Sequence, residues 1–395
     1  MTLTLLLDLD DTLLDTHLET FVPAYFQELS RHLSNHAVPE EMLRALIRGL
    51  HMMTESEDPS QTLMEIFDAD FYPQLGLSKP DMILVFEEFY DRVFPALQRH
   101  TQPRSEAVPF IEWASSCGFR MAIATDPLFP LKATHHRLRW AGFNPEQFEL
   151  VSSYEHFHFS KTHPAFYAEV LGRLGWPEGP VLMVGNDVAR DLMPAHRLGL
   201  KTFFIDGEPE SSPGFEAGRG KLADLRPWLE DVSLSELEPS FENREAVMAI
   251  LASTPAVLHS LLASLSETQW RHEPTGEDWA MNEIVCHLRD TEREIHQMQL
   301  NLMIDREGAF IPRPDTGVWA SEREYLSIDG GAALADFAQA RIENLRTLKG
   351  LDEQTWSRAA RHAIFGPTHF LEVIGFMADH DRLHVQQAWK TLKSV

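Results

Sequence analysis

The run Thr4-Leu5-Leu6-Leu7-Asp8-Leu9-Asp10-Asp11-Thr12 constrains this chain more than any other, because an apolar segment stops abruptly in three carboxylates. Continuous apolar runs mark strands buried on both faces, and parallel sheets hold their ligands beyond the C-terminal ends of such strands. On extended backbone alternate residues share a side, so Asp8 and Asp10 fall together while Leu9 turns to the core. Acids this close repel one another unless a cation or a strong hydrogen-bond network lies between them. A hard divalent ion such as magnesium suits that arrangement, since it takes oxygen ligands. The plainer alternative is a solvated acidic turn after an edge strand.

The following residues extend the same pattern. Helical spacing runs from about residue 16 to 105, with Phe21, Tyr25, Phe26, Leu29 and Leu33 on one stripe and Met82, Val85, Phe86, Phe89 and Tyr90 on another. This reads as a helical insertion after the first strand, its aromatic stripes being core packing. A second strand, Arg120-Met121-Ala122-Ile123-Ala124, ends at Thr125, whose hydroxyl could donate to a phosphate oxygen. After Phe148-Glu149-Leu150-Val151-Ser152, Lys161 stands in a loop just before a helix that Pro164 opens, where its charge could neutralise an anion held over the acids. The strand Val181-Leu182-Met183-Val184-Gly185 leads into Asn186 and Asp187, a polar pair able to complete a metal site. Lys201 to Ile205 gives a further strand. Each acid, hydroxyl or ammonium stands at a strand's C-terminal end or in the loop that follows, and that recurrence predicts an α/β doubly wound parallel sheet.

These residues resemble, in order and spacing, the four motifs of the haloacid dehalogenase superfamily: Asp8-Leu9-Asp10-Asp11-Thr12, then Thr125, then Lys161-Thr162-His163-Pro164, then Gly185-Asn186-Asp187 with Asp191. The helical insertion resembles the superfamily's cap. The resemblance implies phosphoryl transfer through an aspartyl phosphate, with Asp8 as nucleophile and Asp10 as general acid and then base. It implies that magnesium, Thr125 and Lys161 hold the phosphoryl oxygens, and that the ion is bound by Asp8, Asp10 and Asn186 or Asp187. An acid at position 10 favours phosphatase over dehalogenase, because halide leaves without a proton. Two departures stand out. The family usually places an acid directly after the glycine of the fourth motif, where this chain has Asn186, and commonly an Asn after the second-motif Thr, where it has Asp126.

A stretch rich in Pro, Gly, Ser and Glu from 208 to 220 reads as a loop, and 233–241 as a linker. Beyond it the pattern is wholly helical. Stripes on Thr254, Val257, Leu258 and Leu262, on Ile284, Leu288, Thr291 and Ile295, on Phe337, Ile342, Leu345 and Leu348, and on Phe376, His380, Leu383 and His384 predict a four-helix bundle. His380 and His384 lie one turn apart, and His287 sits at an edge able to face them. Three imidazoles suit zinc, nickel or another borderline ion, while hydrogen-bonded core histidines are the alternative. With Leu265 to Trp270, Trp279 to Leu288, and His380-Asp381-Arg382-Leu383-His384 with Gln387, this half resembles the DinB-like metal-binding bundles. That resemblance implies a divalent metal on His287, His380 and His384, and for some relatives thiol-dependent transferase chemistry and pairing into dimers.

The domains expected are thus 1–232, hydrolase with its cap at about 16–105, and 242–395, bundle. A net charge of −26, from 34 basic and 60 acidic residues, excludes nucleic acid or an anionic membrane as the main partner. No apolar run is read as a membrane span, no basic leader is seen, and Cys117 and Cys286 form no pattern, so a cytoplasmic protein is expected. The function expected is a magnesium-dependent phosphatase of a small phosphorylated metabolite fused to a three-His bundle. The alternatives are thiol-transferase chemistry in the bundle, or one domain acting as a silent binding or regulatory module.

Overall fold

The computed structural model describes residues 2–206, 213–274 and 278–394. The chain divides into two units, the first built from Met1–Glu57, Gln61–Val170 and Pro177–Ser240, the second mainly from Phe241–Val395.

In the first unit β1 (Thr4–Leu7) is buried along its whole length, as a continuous Leu run requires. Helices α1 (Leu18–His32), α2 (Pro39–Glu55), α3 (Leu63–Leu75) and α4 (Lys79–Glu88) follow before α5 (Ala107–Ser116) and β2 (Arg120–Ile123). Then come α6 (Leu131–Trp140), β3 (Leu150–Val151), α7 (Pro164–Arg173), β4 (Val181–Gly185), α8 (Met193–Leu198), β5 (Lys201–Ile205), β6 (Gly218–Gly220) and α9 (Leu222–Asp231). The strands form one parallel sheet in the order β3-β2-β1-β4-β5-β6. β1 therefore lies between β2 and β4, and Leu7 is level with both Ile123 and Val184. That register delivers the first, second and fourth motifs to one edge of the sheet.

The helical insertion spans Leu18 to His100, and an antiparallel ribbon pairing Leu14–Asp15 with Gln102–Pro103 fastens its two ends. Arg104 binds Asp15 and Asp206 at 2.6 Å each beside that ribbon. The 208–220 stretch, read as a loop, contains β6 at its end; its residues 208–212 lie outside the described residues.

Leu237, in a short turn at Leu234–Leu237, is fully buried in the first unit's core, and Ser240 donates a backbone hydrogen bond to Gly199 at 3.1 Å. The segment 233–241 is therefore no free linker through Ser240. Its acids and serines mark an exposed surface, but Leu234 and Leu237, three apart, anchor one face.

The second unit contains α10 (Arg244–Leu262), α11 (Met281–Asp290), α12 (Gln297–Asp305), α13 (Gly330–Lys349) and α14 (Phe370–Leu392), with a small sheet of β7 (Ala309–Ile311), β8 (Ala359–His362) and β9 (Gly366–His369). Among the described residues α10 alone is long and apolar enough to cross a membrane, at mean hydropathy 1.5, which corrects the reading that no such run exists. Two thirds of that stretch, 67%, is buried inside the protein, as a core helix requires.

Two expected stripes are out of phase. Between α11 and α12 the turn Thr291–His296 is π-helical, and its extra residue brings Glu292 and His296 inward where a regular helix would present Ile295. On α14 the buried line runs through Ile374, Met377, Ala378, Asp381, Val385 and Ala388, so Leu383 is 64% exposed and His380 and His384 flank the stripe.

Candidate active site and candidate metal centre

In the first unit Asp8 follows β1 directly, and its N–H donates to the Val184 carbonyl at 2.9 Å. Lys161 Nζ donates to Asp8 Oδ1 and lies equally close to Asp191 Oδ1, both at 2.5 Å, with Lys161 1% exposed. Burial, then the Asp191 charge, push the Asp8 carboxyl up to about 7 despite Lys161. Burial alone would lower the Lys161 ammonium, but Asp191 and Asp8 overcome it and raise it. Lys161 is therefore one ammonium facing two buried acids, Asp8 and Asp191.

Asp10 sits beside this group. Its Oδ1 accepts from Thr16 Oγ1 at 2.6 Å and its Oδ2 from the guanidinium of Arg137, which is 1% exposed on α6. Asp11, the third acid of the run, plays a different part. At φ 58° its carboxylate accepts from the N–H groups of Thr16 and His17 and closes the turn leaving the strand. Thr125, 2% exposed, follows β2, and its carbonyl accepts from Ser152 Oγ at 2.6 Å. Asp126 does not project as a bare charge. Its Oδ1 accepts from the Lys161 N–H at 3.1 Å, and burial raises its carboxyl.

After β4, Asn186 Oδ1 accepts from Thr12 Oγ1 at 3.2 Å, linking the fourth motif to the first. Asp187 Oδ1 instead accepts from the N–H groups of Ala189 and Arg190, capping the π-helical turn Val188–Leu192. That turn carries Asp191 back under Gly185, where its Oδ2 accepts from the Asn186 and Asp187 N–H groups at 2.8 and 2.9 Å. A Cβ on Gly185 would stand 2.2 Å from Asp191 Oδ2, so glycine is required there by close approach. Of the two candidates after the glycine, Asn186 is the one bonded to the first motif.

Sequence reasoning did not give Asp191 or Arg137 a role. Asp191 had a signal, its spacing of four from Asp187 within the fourth motif. Arg137 had none, since a single Arg on an amphipathic helix reads as solvated.

Above Asp10 the insertion and the sheet enclose a cavity of about 480 Å³, reaching from Asp10, Asp126 and Arg137 to Phe67, Tyr72 and Phe86.

In the second unit His287, His380 and His384 each offer a ring nitrogen within 4.8 Å of the others. His287 Nε2 and His380 Nε2 are 3.2 Å apart, and His384 Nδ1 is held by Gln387 Oε1 at 3.0 Å. The Trp279 ring stacks on His384 at 5.8 Å and 7°. Burial, then the neighbouring imidazoles, push His287 down to about 3 and His384 to about 4; burial also lowers His380. All three are therefore neutral near pH 7, the state in which imidazole ligates a metal. Two facing Nε2 atoms cannot both donate, and His287 Nδ1 is buried with no hydrogen-bond partner. The donor set fits a borderline divalent ion.

Behind this cluster lies a network absent from the sequence reading. Arg341, 1% exposed, binds Glu292 at 2.7 and 2.8 Å, Asp381 at 2.5 and 3.2 Å, and the Leu251 carbonyl at 2.8 Å. Glu292 also accepts from Asn344 at 2.8 Å and pairs with His296 Nδ1 at 2.9 Å. Cys286, next to His287, is buried and its thiol pushed up to about 11, so it is no thiolate.

Residues 2–199 match the model of haloacid dehalogenase-like hydrolases, and residues 250–388 that of the DinB superfamily. No curated protein matches the chain. Among solved structures the first unit is similar to a phosphatase of the haloacid dehalogenase class from Thermococcus onnurineus, at 20% identity and TM-score 0.39, covering 58% of this chain and 98% of that one. It is also similar to a 2-haloacid dehalogenase from Pseudomonas syringae pv. Tomato DC3000, at 18% and 0.44, covering 58% and 99%. The second unit is similar to YfiT from Bacillus subtilis, a probable metal-dependent hydrolase with an unusual four-helix bundle, at 18% and 0.36, covering 40% and 89%. The family models thus agree with the arrangement of the motifs: this chain belongs to the haloacid dehalogenase-like hydrolases and carries a DinB superfamily domain later in its sequence.

Proposed function

We propose that the first unit is a magnesium-dependent phosphatase of a small phosphorylated compound, acting through an aspartyl phosphate on Asp8. The observation that carries this is the clamp of Lys161 between Asp8 and Asp191, with Asp10 held alongside. Asp8, Asp10 and Asn186 offer only oxygen donors, and the excess of acid over cation around Lys161 fits a hard dication. When bound, magnesium would supply charge neutralisation of the phosphoryl oxygens.

A carboxylate oxygen of Asp8 attacks phosphorus in line, and the bond from phosphorus to the leaving oxygen breaks. Asp10 gives its proton to that oxygen and then takes one from the water that hydrolyses the aspartyl phosphate, returning Asp8 as a carboxylate. Lys161 holds the nucleophile and balances the incoming phosphate. Asp191 and the peptide N–H groups after Gly185 fix Lys161 in turn, and Thr125 stands at the adjacent strand end to donate to a phosphoryl oxygen. Arg137 and Thr16 position Asp10.

The deciding experiment is phosphate release with magnesium across a panel of phosphorylated metabolites. Asp8→Asn should lower it by about 10³-fold or more with the circular dichroism spectrum unchanged. Turnover retained in Asp8→Asn would refute the aspartyl-phosphate route.

For the second unit, the unpartnered His287 Nδ1 and the facing Nε2 atoms support metal-dependent chemistry, of which thiol transfer is one form. Metal-dependent consumption of a low-molecular-weight thiol with an electrophile panel tests it. Cys286 supplies no nucleophile for it.

A further inference from the structure

The cavity above Asp10 carries information about the leaving group that the motifs do not. Its charged lining is answered from within except for Arg190, whose charge acts on Asp126 at the end of the cavity nearest Lys161. Asp68 is held by Lys79 and Glu87 by Lys132, each at 2.5 Å, and Lys132 also meets Asp91 at 2.7 Å. Both carboxylate oxygens of Glu155 accept from the Leu131 N–H at 3.0 Å, and Asp126 accepts from the Lys161 N–H. Arg137 is spent on Asp10, and Tyr25 and Tyr90 hydroxyls bond each other at 3.0 Å.

Away from Arg190, what remains is mostly apolar and aromatic, with Tyr72 and Tyr154 its polar members. The Tyr25 and Phe129 rings lie 5.3 Å apart, Tyr72 and Phe86 6.4 Å apart and edge-on, and Leu50 and Met64 complete the wall. A polyhydroxylated or charged body placed there would lose more hydrogen bonds to water than so few polar groups return. An uncharged aromatic body would bury its faces against rings already arranged edge to face. At about 480 Å³ the cavity is in the range of small-molecule sites.

We infer that this cavity is a leaving-group site for a phosphomonoester whose alcohol carries an uncharged aromatic body, the phosphate lying at Asp8 and the ring between Leu50, Met64 and the Tyr72–Phe86 wall. This rests on the phosphatase reading for the phosphate end. No step beyond that reaction is needed: the phosphorus–oxygen bond breaks, the proton from Asp10 goes to the alcohol oxygen, and the apolar alcohol departs.

The test uses the full chain with magnesium and two alkyl esters of similar leaving-group basicity, 2-(2-naphthyl)ethyl phosphate and glycerol 3-phosphate. The naphthyl ester should be preferred about 100-fold in kcat/KM, from burial of its rings. Leu50→Gln and Met64→Gln, each checked for folding by near-ultraviolet circular dichroism, should each cut that ratio at least 10-fold. An equal or reversed preference overturns the inference while phosphate release stands. A second arm needs no turnover: 2-(2-naphthyl)ethanol is titrated calorimetrically into Asp8→Asn. Binding that Leu50→Gln weakens at least 10-fold supports the apolar site even if neither ester is hydrolysed, in which case the phosphatase reading alone falls. Absence of binding by the naphthyl alcohol overturns the site.

Discussion

Each unit has a fully buried cation set between two carboxylates, and the two clamps behave differently. Lys161 lies between Asp8 and Asp191, and Arg341 between Glu292 and Asp381. Burial pushes Asp8, Glu292 and Asp381 all upward. At Asp8, burial and Asp191 prevail over Lys161 and the carboxyl rises to about 7. In the bundle Arg341 prevails, and Glu292 and Asp381 lie below the usual carboxylate range. Cations and neighbours both enter the contrast: a guanidinium presents five donors in a rigid fork and grips both acids, whereas an ammonium is a point charge with three, and Asp10 adds negative charge beside Asp8 where His296 adds a hydrogen bond beside Glu292. Asp8 is thus left under-neutralised at the sheet edge. Glu292 and Asp381 are saturated and serve as framework behind the histidines.

The sharpest way to break this comparison is to remove each cation. Arg341→Met strands two buried acids and should destabilise the bundle by about 3–5 kcal/mol in denaturant titration. Lys161→Met should cost clearly less at pH 7, because Asp8 can take up a proton instead. Equal losses would dissolve the distinction.

Next in size are the imidazoles. Metal retained through purification should be lost together in His287→Ala and His380→Ala, with affinity down by about 100-fold or more, since each removes one of only three ligands. Unchanged metal content in both variants would mean that the cluster is only core.

A smaller effect concerns Asp8 and pH. Its carboxyl rises from the ordinary 3.8 to about 7 on folding, so between those values the folded state holds a proton that the unfolded state has lost. Stability of the metal-free protein should therefore fall as pH rises from about 4 to about 7 and level off above, by a few kcal/mol at most. Asp8→Asn should abolish that slope and be the more stable protein at pH 8. A slope unchanged in the variant would assign it to other groups.

The smallest expected effect is at Leu383. Although periodicity placed it beside His380, it faces outward, and Leu383→Gln should change stability by no more than about 0.5 kcal/mol.

What could be read from the sequence followed what depends on local order. The Leu5-Leu6-Leu7 run of β1 needed only a buried strand, and the placement of Asp8, Thr125 and Asn186 could be anticipated because parallel strands deliver their ends to one edge, with Lys161 returning to Asp8 from the loop after the strand at Leu150–Val151. What escaped depends on phase or on distant partners. The π-helical turn at Thr291–His296 shifts the inward face by one residue, so Glu292 and His296 were invisible to a 3.6-residue period. Arg341 and Arg137 carry no local signal, since their partners Glu292, Asp381 and Asp10 are brought to them only by the fold. Asp187 was legible as polar but not as a cap, because that depends on which N–H groups the turn leaves unpaired.

Leu237 has a practical consequence for anyone dissecting the molecule. A fragment ending at 232 would lack a fully buried side chain and the Ser240 contact to Gly199, and would leave a hole in its own interior. The place to cut is after Ser240, so that the hydrolase fragment keeps its plug and the bundle fragment starts at Phe241.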